Sequence, residues 1–218
     1  MTELSYLRPT RDFYDTIAHD YAELYKGNLD TLPLDRAMLG AFAERVLATG
    51  GGQVADLGCG PGEVTAFLDG RGLEVSGLDL SPEMVALARR TFPALRFEVG
   101  SMTGLEFADG SLAGVVAYYS IIHLPWERLP EVFAEFHRVL APRGQLLVAF
   151  QAGEEPLRLE RPFGHDATID FNRLSPDRVA GLLEQAGFAV DARLMRETDP
   201  SEQVSQVSQA FLLARRSS

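Results

Sequence analysis

Cysteine and lysine are each found once in this 218-residue chain, and both scarcities remove classes of function. A lone Cys59 excludes an internal disulfide and a thiolate-rich metal centre. Lys26 is the only lysine, and 20 Lys and Arg stand against 31 Asp and Glu, a formal net charge of −11. An acidic surface repels phosphate backbones and no Lys/Arg run interrupts it, so no nucleic-acid partner is expected. Long apolar runs are missing too. The longest, Leu112 to Ile122, is broken by Gly114, Tyr118, Tyr119 and Ser120, and is too short for a membrane span. The first eleven residues hold no signal-like apolar stretch, so a cytoplasmic protein with no membrane partner is expected. His19, His123, His137 and His165 are too scattered to bind zinc, and no metal is expected.

What is present is a regular alternation. Residues 12–26 and 34–48 carry apolar side chains at helical spacing, the second run ending at Gly50-Gly51-Gly52. Short apolar strands are predicted at 53–57, 73–80, 94–99, 112–119 and 145–150. Helices are predicted at 63–69, from Ser81-Pro82-Glu83 onward with Met84, Leu87 and Ala88 on one face, at 127–140 and at 175–186. Ser81 with Pro82, and Ser175 with Pro176, are helix-start signals. Residues 188–194 and 207–214 read as two closing strands. Strands alternating with helices imply parallel pairing with right-handed crossovers. The expected fold is α/β: a three-layer sandwich around a mostly parallel, doubly wound, seven-stranded sheet with an antiparallel last strand. The length suits one domain over 1–218, with a helical cap over 1–33. Residues 151–173, rich in charge, proline and aromatics, break the rhythm and read as a lid.

Ligands of an open parallel sheet bind at the carboxyl ends of its strands. There the chain reads D-L-G-C-G-P-G, Asp56 to Gly62. A dinucleotide fingerprint requires G-x-G-x-x-G; here Gly58, Gly60 and Gly62 read G-x-G-x-G. Asp79 ends the second strand, in G-L-D-L-S-P-E-M, at an offset that suits ribose recognition within one βαβ unit. These two motifs, with F-Y-D-T-I-A-H-D-Y near the N-terminus, G-S-M after the third strand and Y-Y-S-I-I-H-L-P after the fourth, resemble the class I S-adenosylmethionine-dependent methyltransferases over roughly residues 12–150.

The resemblance implies an enzyme that uses S-adenosyl-L-methionine, releases S-adenosyl-L-homocysteine, and methylates O, N, S or C of a small molecule. By the same resemblance Gly58, Gly60 and Gly62 cradle the methionine portion, with Cys59 in the same turn as a small, inert side chain. Asp56 holds the loop, Asp79 takes the ribose hydroxyls, and Leu80 and Met84 pack near the adenosine. Ser101 and Met102 occupy the adenine position, where many members carry an acid. Ser120 lies beside the sulfonium, and Tyr14 and Tyr21, seven apart on one helix, cover the site. In-line methyl transfer needs alignment of the acceptor, and a base if the acceptor begins protonated. His123, after the fourth strand, is the base candidate, with a pocket-shaping neutral histidine as the alternative. Tyr118, Tyr119, His123, Trp126 and the lid's His165 are the expected acceptor contacts, and a monomer or homodimer is expected. Two other functions stay open on these residues: a non-catalytic S-adenosylmethionine-binding regulator and a nicotinamide-dependent oxidoreductase.

Overall fold

Residues 5–197 and 207–217 are described by a computed structural model. Helices α1 (Leu7–Tyr25), α2 (Asn28–Thr31) and α3 (Pro33–Ala48) lead into β1 (Gln53–Leu57). Then come α4 (Glu63–Asp69), β2 (Glu74–Asp79), α5 (Pro82–Thr91), β3 (Arg96–Val99) and β4 (Leu112–Tyr118). The second half holds α6 (Leu129–Val139), β5 (Leu140–Gln151), β6 (Leu157–Glu160), β7 (Thr168–Phe171), α7 (Pro176–Gln185), β8 (Phe188–Arg196) and β9 (Gln209–Arg216). Both serine caps form: Ser81 Oγ accepts from the Met84 amide at 3.1 Å, and Ser175 Oγ from the Arg178 amide at 3.5 Å.

Seven strands make one sheet in the order β3-β2-β1-β4-β5-β9-β8. All neighbours are parallel except β9, which runs antiparallel to both β5 and β8. The last strand in sequence is therefore wedged inside the sheet rather than added at its edge. Strand alternation builds the two core layers. Val115, Ala117, Leu146, Val148, Phe150 and Leu212 face α6 and α7, where Phe133, Phe136, Val179 and Leu183 are buried. Val116, Leu147, Ala149, Phe211 and Leu213 face α3, against Leu39, Phe42 and Val46. Each such fully buried Phe or Leu contributes about 1.5–3 kcal/mol. Gly114 allows α3 this close, because a Cβ there would lie 2.7 Å from the Phe42 ring.

Four boundaries differ from the sequence reading. Helix α1 begins at Leu7, five residues before the expected start, and Pro9 is tolerated in its first turn, where no intrahelical donor is needed. The expected helix 127–140 is split into a 3₁₀ turn, Trp126–Arg128, and α6. Pro142-Arg143-Gly144 does not precede β5 but forms a bulge within it, with Arg143 at φ 65°. The segment 151–173, where no strand is expected from the sequence, holds β6 and β7 paired as an antiparallel hairpin outside the main sheet. Among the described residues, no helix is long and apolar enough to cross a membrane.

Candidate functional site

The sheet order reverses between β1 and β4, and the crevice at their carboxyl ends is where ligands of such sheets bind. Gly58 and Gly60 form the turn leaving β1. The Gly58 amide donates to the Leu78 carbonyl at 2.7 Å, tying the turn to β2. Across the crevice, Ser120 Oγ donates to the Leu57 carbonyl at 2.6 Å, tying it to β4. Asp79 completes the corner. Its Oδ2 accepts from the Gly60 amide at 2.8 Å and its Oδ1 from the Ser81 amide at 2.9 Å. Burial pushes its carboxyl up, while those two amides pull it back. The Leu80 amide also pulls it down. A carboxylate has about four acceptor positions, so one remains for a ligand.

Helix α1 and the hairpin roof this corner. Asp15 of α1 accepts from Ser81 Oγ at 2.5 Å and from the Glu83 amide at 3.3 Å, at the start of α5. Phe13 and Ile17 pack on Ile169 of β7. His165 Nε2 meets Asp20 Oδ2 at 2.7 Å, latching the hairpin to α1. Beneath the roof lies a cavity of about 970 Å³. A second hollow of about 320 Å³, between the start of α1 and the hairpin, shares Thr10 and His123 with it. Tyr14, Tyr21 and Tyr25 line one wall of the larger cavity. The Tyr14 and Tyr21 rings meet edge-on at 5.6 Å, and those of Tyr21 and Tyr25 lie 4.3 Å apart. Burial pushes all three phenols up, that of Tyr25 to about 12, so all stay neutral.

Past β4 the lining changes. His123 is half-buried, its Nε2 is 2.9 Å from Tyr14 Oη, and its Nδ1 has no hydrogen-bond partner among the described residues. Burial pulls its pKa down to about 4. Tyr118 Oη donates to Asp35 Oδ1 at 2.5 Å, and Tyr119 Oη reaches the same oxygen at 3.3 Å. Arg196, at the end of β8, pairs with the other oxygen of this fully buried Asp35 at 3.0 Å.

The crevice suits an adenosyl sulfonium. A Cβ on Gly60 would meet no atom within 4 Å, so the turn presents bare backbone to the cavity. Asp79 supplies an anion with an acceptor position left, and three neutral aromatic rings line the wall, a surface that attracts a cation. A family model described as a methyltransferase domain matches residues 54–144, from β1 into β5. An uncharacterised methyltransferase of Synechocystis is 31% identical over 159 residues, covering 67% of this chain and 71% of that protein. The chain is a class I S-adenosylmethionine-dependent methyltransferase.

A demethylmenaquinone methyltransferase of Chlorobaculum parvum is 28% identical to this methyltransferase over 83% of the chain and 73% of the relative. The chain spans only about half the length of several other curated relatives, 53–55%. The magnesium protoporphyrin IX methyltransferase of Synechocystis, solved with S-adenosylmethionine bound, shares the fold, with a TM-score of 0.72 at 19% identity over 100% of each chain. The cofactor of this methyltransferase is S-adenosylmethionine.

The structure sorts the residues singled out in the sequence. Gly58, Gly60, Asp79, Leu80 and Met84 line the cavity along β1, β2 and α5. So do Ser101 and Met102 after β3, Tyr118 at the end of β4, Tyr119, Ser120 and His123 after it, and Tyr14 and Tyr21 of α1. The Ser101 hydroxyl lies 2.8 Å from Thr103 Oγ1.

Five do not line it. Asp56 lies behind the turn, its Oδ2 accepting from Thr65 Oγ1 at 2.7 Å, and burial pushes its pKa up to about 7. Cys59 packs into the cluster of Val85, Ala88 and Phe97, and a Cβ on Gly62 would strike the Phe97 ring at 2.8 Å. Both therefore face α5 and β3. Trp126 sits under the Arg178 guanidinium at 4.0 Å, and His165 is committed to Asp20. His137, on α6, is half-buried with its ring edge-on to Phe188. Missed in the sequence were Tyr25, Asp35, Gln151, Arg196 and Gln209. Only Tyr25 carried a signal, four residues beyond Tyr21 on one helical face.

Proposed function

We propose that this methyltransferase holds S-adenosylmethionine against β1 and β2 and methylates a nucleophilic atom of a small molecule seated toward β4 and β5. The observation that carries the reading is the single cavity joining Asp79 and Gly60 to His123. The names of relatives, demethylmenaquinone and malonyl-[acyl-carrier protein] methyltransferases among them, support a small acceptor. Bound there, S-adenosylmethionine supplies an electrophilic methyl group and a thioether leaving group.

Residues of the chain do the rest. Asp79, oriented by two amides, takes the ribose hydroxyls. Gly58 and Gly60 let the backbone approach the methionine portion, beside Ser120. Leu80, Met84, Ser101 and Met102 bound the adenine end. Tyr14, Tyr21 and the hairpin exclude water, which strengthens each polar contact inside. Tyr118 and Tyr119 border the acceptor. His123 is uncharged at neutral pH, so its Nε2 can accept the Tyr14 hydroxyl proton while Tyr14 Oη accepts one from the acceptor. A base this weak takes the proton only as the methyl arrives.

Calorimetry with S-adenosylhomocysteine tests the cofactor half. Asp79→Ala is expected to cost about 1.5–3 kcal/mol, the range for hydrogen bonds to a charged group, or roughly ten- to hundredfold in affinity. Wild-type affinity in that variant would remove the ribose assignment. His123→Ala is expected to lower turnover more than cofactor affinity. A rate inflection near pH 6.5 that disappears in His123→Asn would contradict its depressed pKa.

A further inference from the structure

The cofactor reading leaves the β5, β9 and β8 end of the cavity without an occupant. Neighbouring strands lie roughly 4.8 Å apart, so four strand steps, β2 to β9, put this end roughly 19 Å from Asp79. Its wall holds Gln151 and Gln209, paired across β5 and β9, with Arg196 from β8. Gln151 makes no side-chain hydrogen bond among the described residues; its Oε1 is enclosed by protein, which leaves its Nε2 as the unpartnered donor that a ligand in the cavity can meet. Such a group is rare in a folded protein and calls for a ligand.

Charge narrows what that ligand is. Among the described residues lining the cavity, Asp79 and Arg196 alone carry a charge, His123 being neutral. Asp79 lies at the far end. Arg196 is matched by Asp35, which is fully buried and also accepts from Tyr118. An anion here meets a compensated pair and a carboxylate behind it. The part of the lining that the hairpin supplies is apolar: Leu157, Leu159, Pro162, Phe163 and Phe171.

We propose that the Gln151 carboxamide recognises one uncharged hydroxyl, phenolic or alcoholic, on an otherwise apolar acceptor whose body lies against the hairpin wall. Gln151 is then a specificity-determining residue, and the assignment rests on the methyltransferase reading of the same cavity.

The test uses the full chain saturated with S-adenosylhomocysteine and three probes of one shape: 2-naphthol, 2-naphthoate and 2-methylnaphthalene. By calorimetry at pH 7, 2-naphthol is expected to bind at least tenfold tighter than 2-naphthoate. Gln151→Leu is expected to weaken 2-naphthol about five- to twentyfold, leaving 2-methylnaphthalene and S-adenosylhomocysteine within twofold of wild type. Equal or tighter binding of 2-naphthoate, no binding of 2-naphthol, or an unchanged 2-naphthol affinity in Gln151→Leu overturns the proposal. A variant that loses S-adenosylhomocysteine affinity instead assigns Gln151 to the cofactor and overturns it too. Failure of the wild type to bind S-adenosylhomocysteine shows in the first titration and removes the underlying cofactor assignment.

Discussion

Gly58 and Gly60 stand two residues apart in one turn, yet a methyl group added to one meets protein and to the other meets none. At Gly58, with φ 77°, a Cβ would lie 2.3 Å from Ser120 Cβ. The ends of β1 and β4 would have to part, and the Ser120–Leu57 hydrogen bond would break. Gly58→Ala is expected to lose about 2–4 kcal/mol of stability, from overpacking plus a left-handed alanine. At Gly60, with φ 52°, the same methyl enters open cavity. Gly60→Ala is expected to cost only about 1–2 kcal/mol of stability, yet to reduce S-adenosylhomocysteine affinity tenfold or more. Urea melts and calorimetry on the two variants separate the roles. Wild-type binding by Gly60→Ala would mean that the turn cradles nothing. The motif D-L-G-C-G-P-G made the turn legible in sequence but not the direction of each residue. Cys59 and Gly62 belong to the same run and face the opposite way, into α5 and Phe97. Direction is decided by the twist of the turn, which letters do not carry.

At the scale of elements, the roof matters most, because α1 covers the cavity with no strand beneath it. Its anchor to the cofactor side is Asp15, on Ser81 Oγ and the Glu83 amide. Asp15→Ala keeps the helix and the Ser81 cap but removes that anchor. Faster hydrogen exchange in the α1 amides and a three- to tenfold weaker S-adenosylhomocysteine affinity are expected, with a thermal midpoint lowered by only a few degrees, since about 1 kcal/mol shifts it roughly 2–4 °C at this chain length. Unaltered exchange in α1 would show that the hairpin alone holds the roof. How far elements were readable follows from the range of their interactions. Helix α1 and the strands β1, β2 and β4 announce themselves through local periodicity. The hairpin did not, because its alternation is only four residues long on each side; Leu157 opposes Phe171, and Leu159 opposes Ile169, only once the strands meet. The Asp35–Arg196 pair was less readable still. It joins α3 to β8 across nearly the whole chain, and neither residue stands in a motif.

For the molecule as a whole, acidity makes pH the natural probe, and two desolvated groups act in opposite directions. His123 titrates near 6.5 when unfolded and near 4 when folded. Between those values the unfolded chain binds one proton more, so this group's contribution to stability falls as pH drops from 6.5 toward 4. Asp56 titrates near 3.8 when unfolded and near 7 when folded. Between those values the folded chain binds one proton more, so stability falls as pH rises from 3.8 toward 7. From pH 4.5 to 6 the two slopes cancel, each being about 1.4 kcal/mol per pH unit when one proton differs. Removing either group exposes the other. Relative to the ligand-free wild type, Asp56→Asn is expected to lose stability as pH is lowered from 6 to 4.5, and His123→Asn to lose it as pH is raised over the same range. Urea midpoints at four pH values, read as variant minus wild type, isolate the pair from the many surface carboxylates, which titrate alike in all three proteins. Parallel curves would mean that neither group is desolvated enough to titrate away from its unfolded value. Loss of slope in only one variant would leave the other group desolvated, so each assignment falls or survives separately.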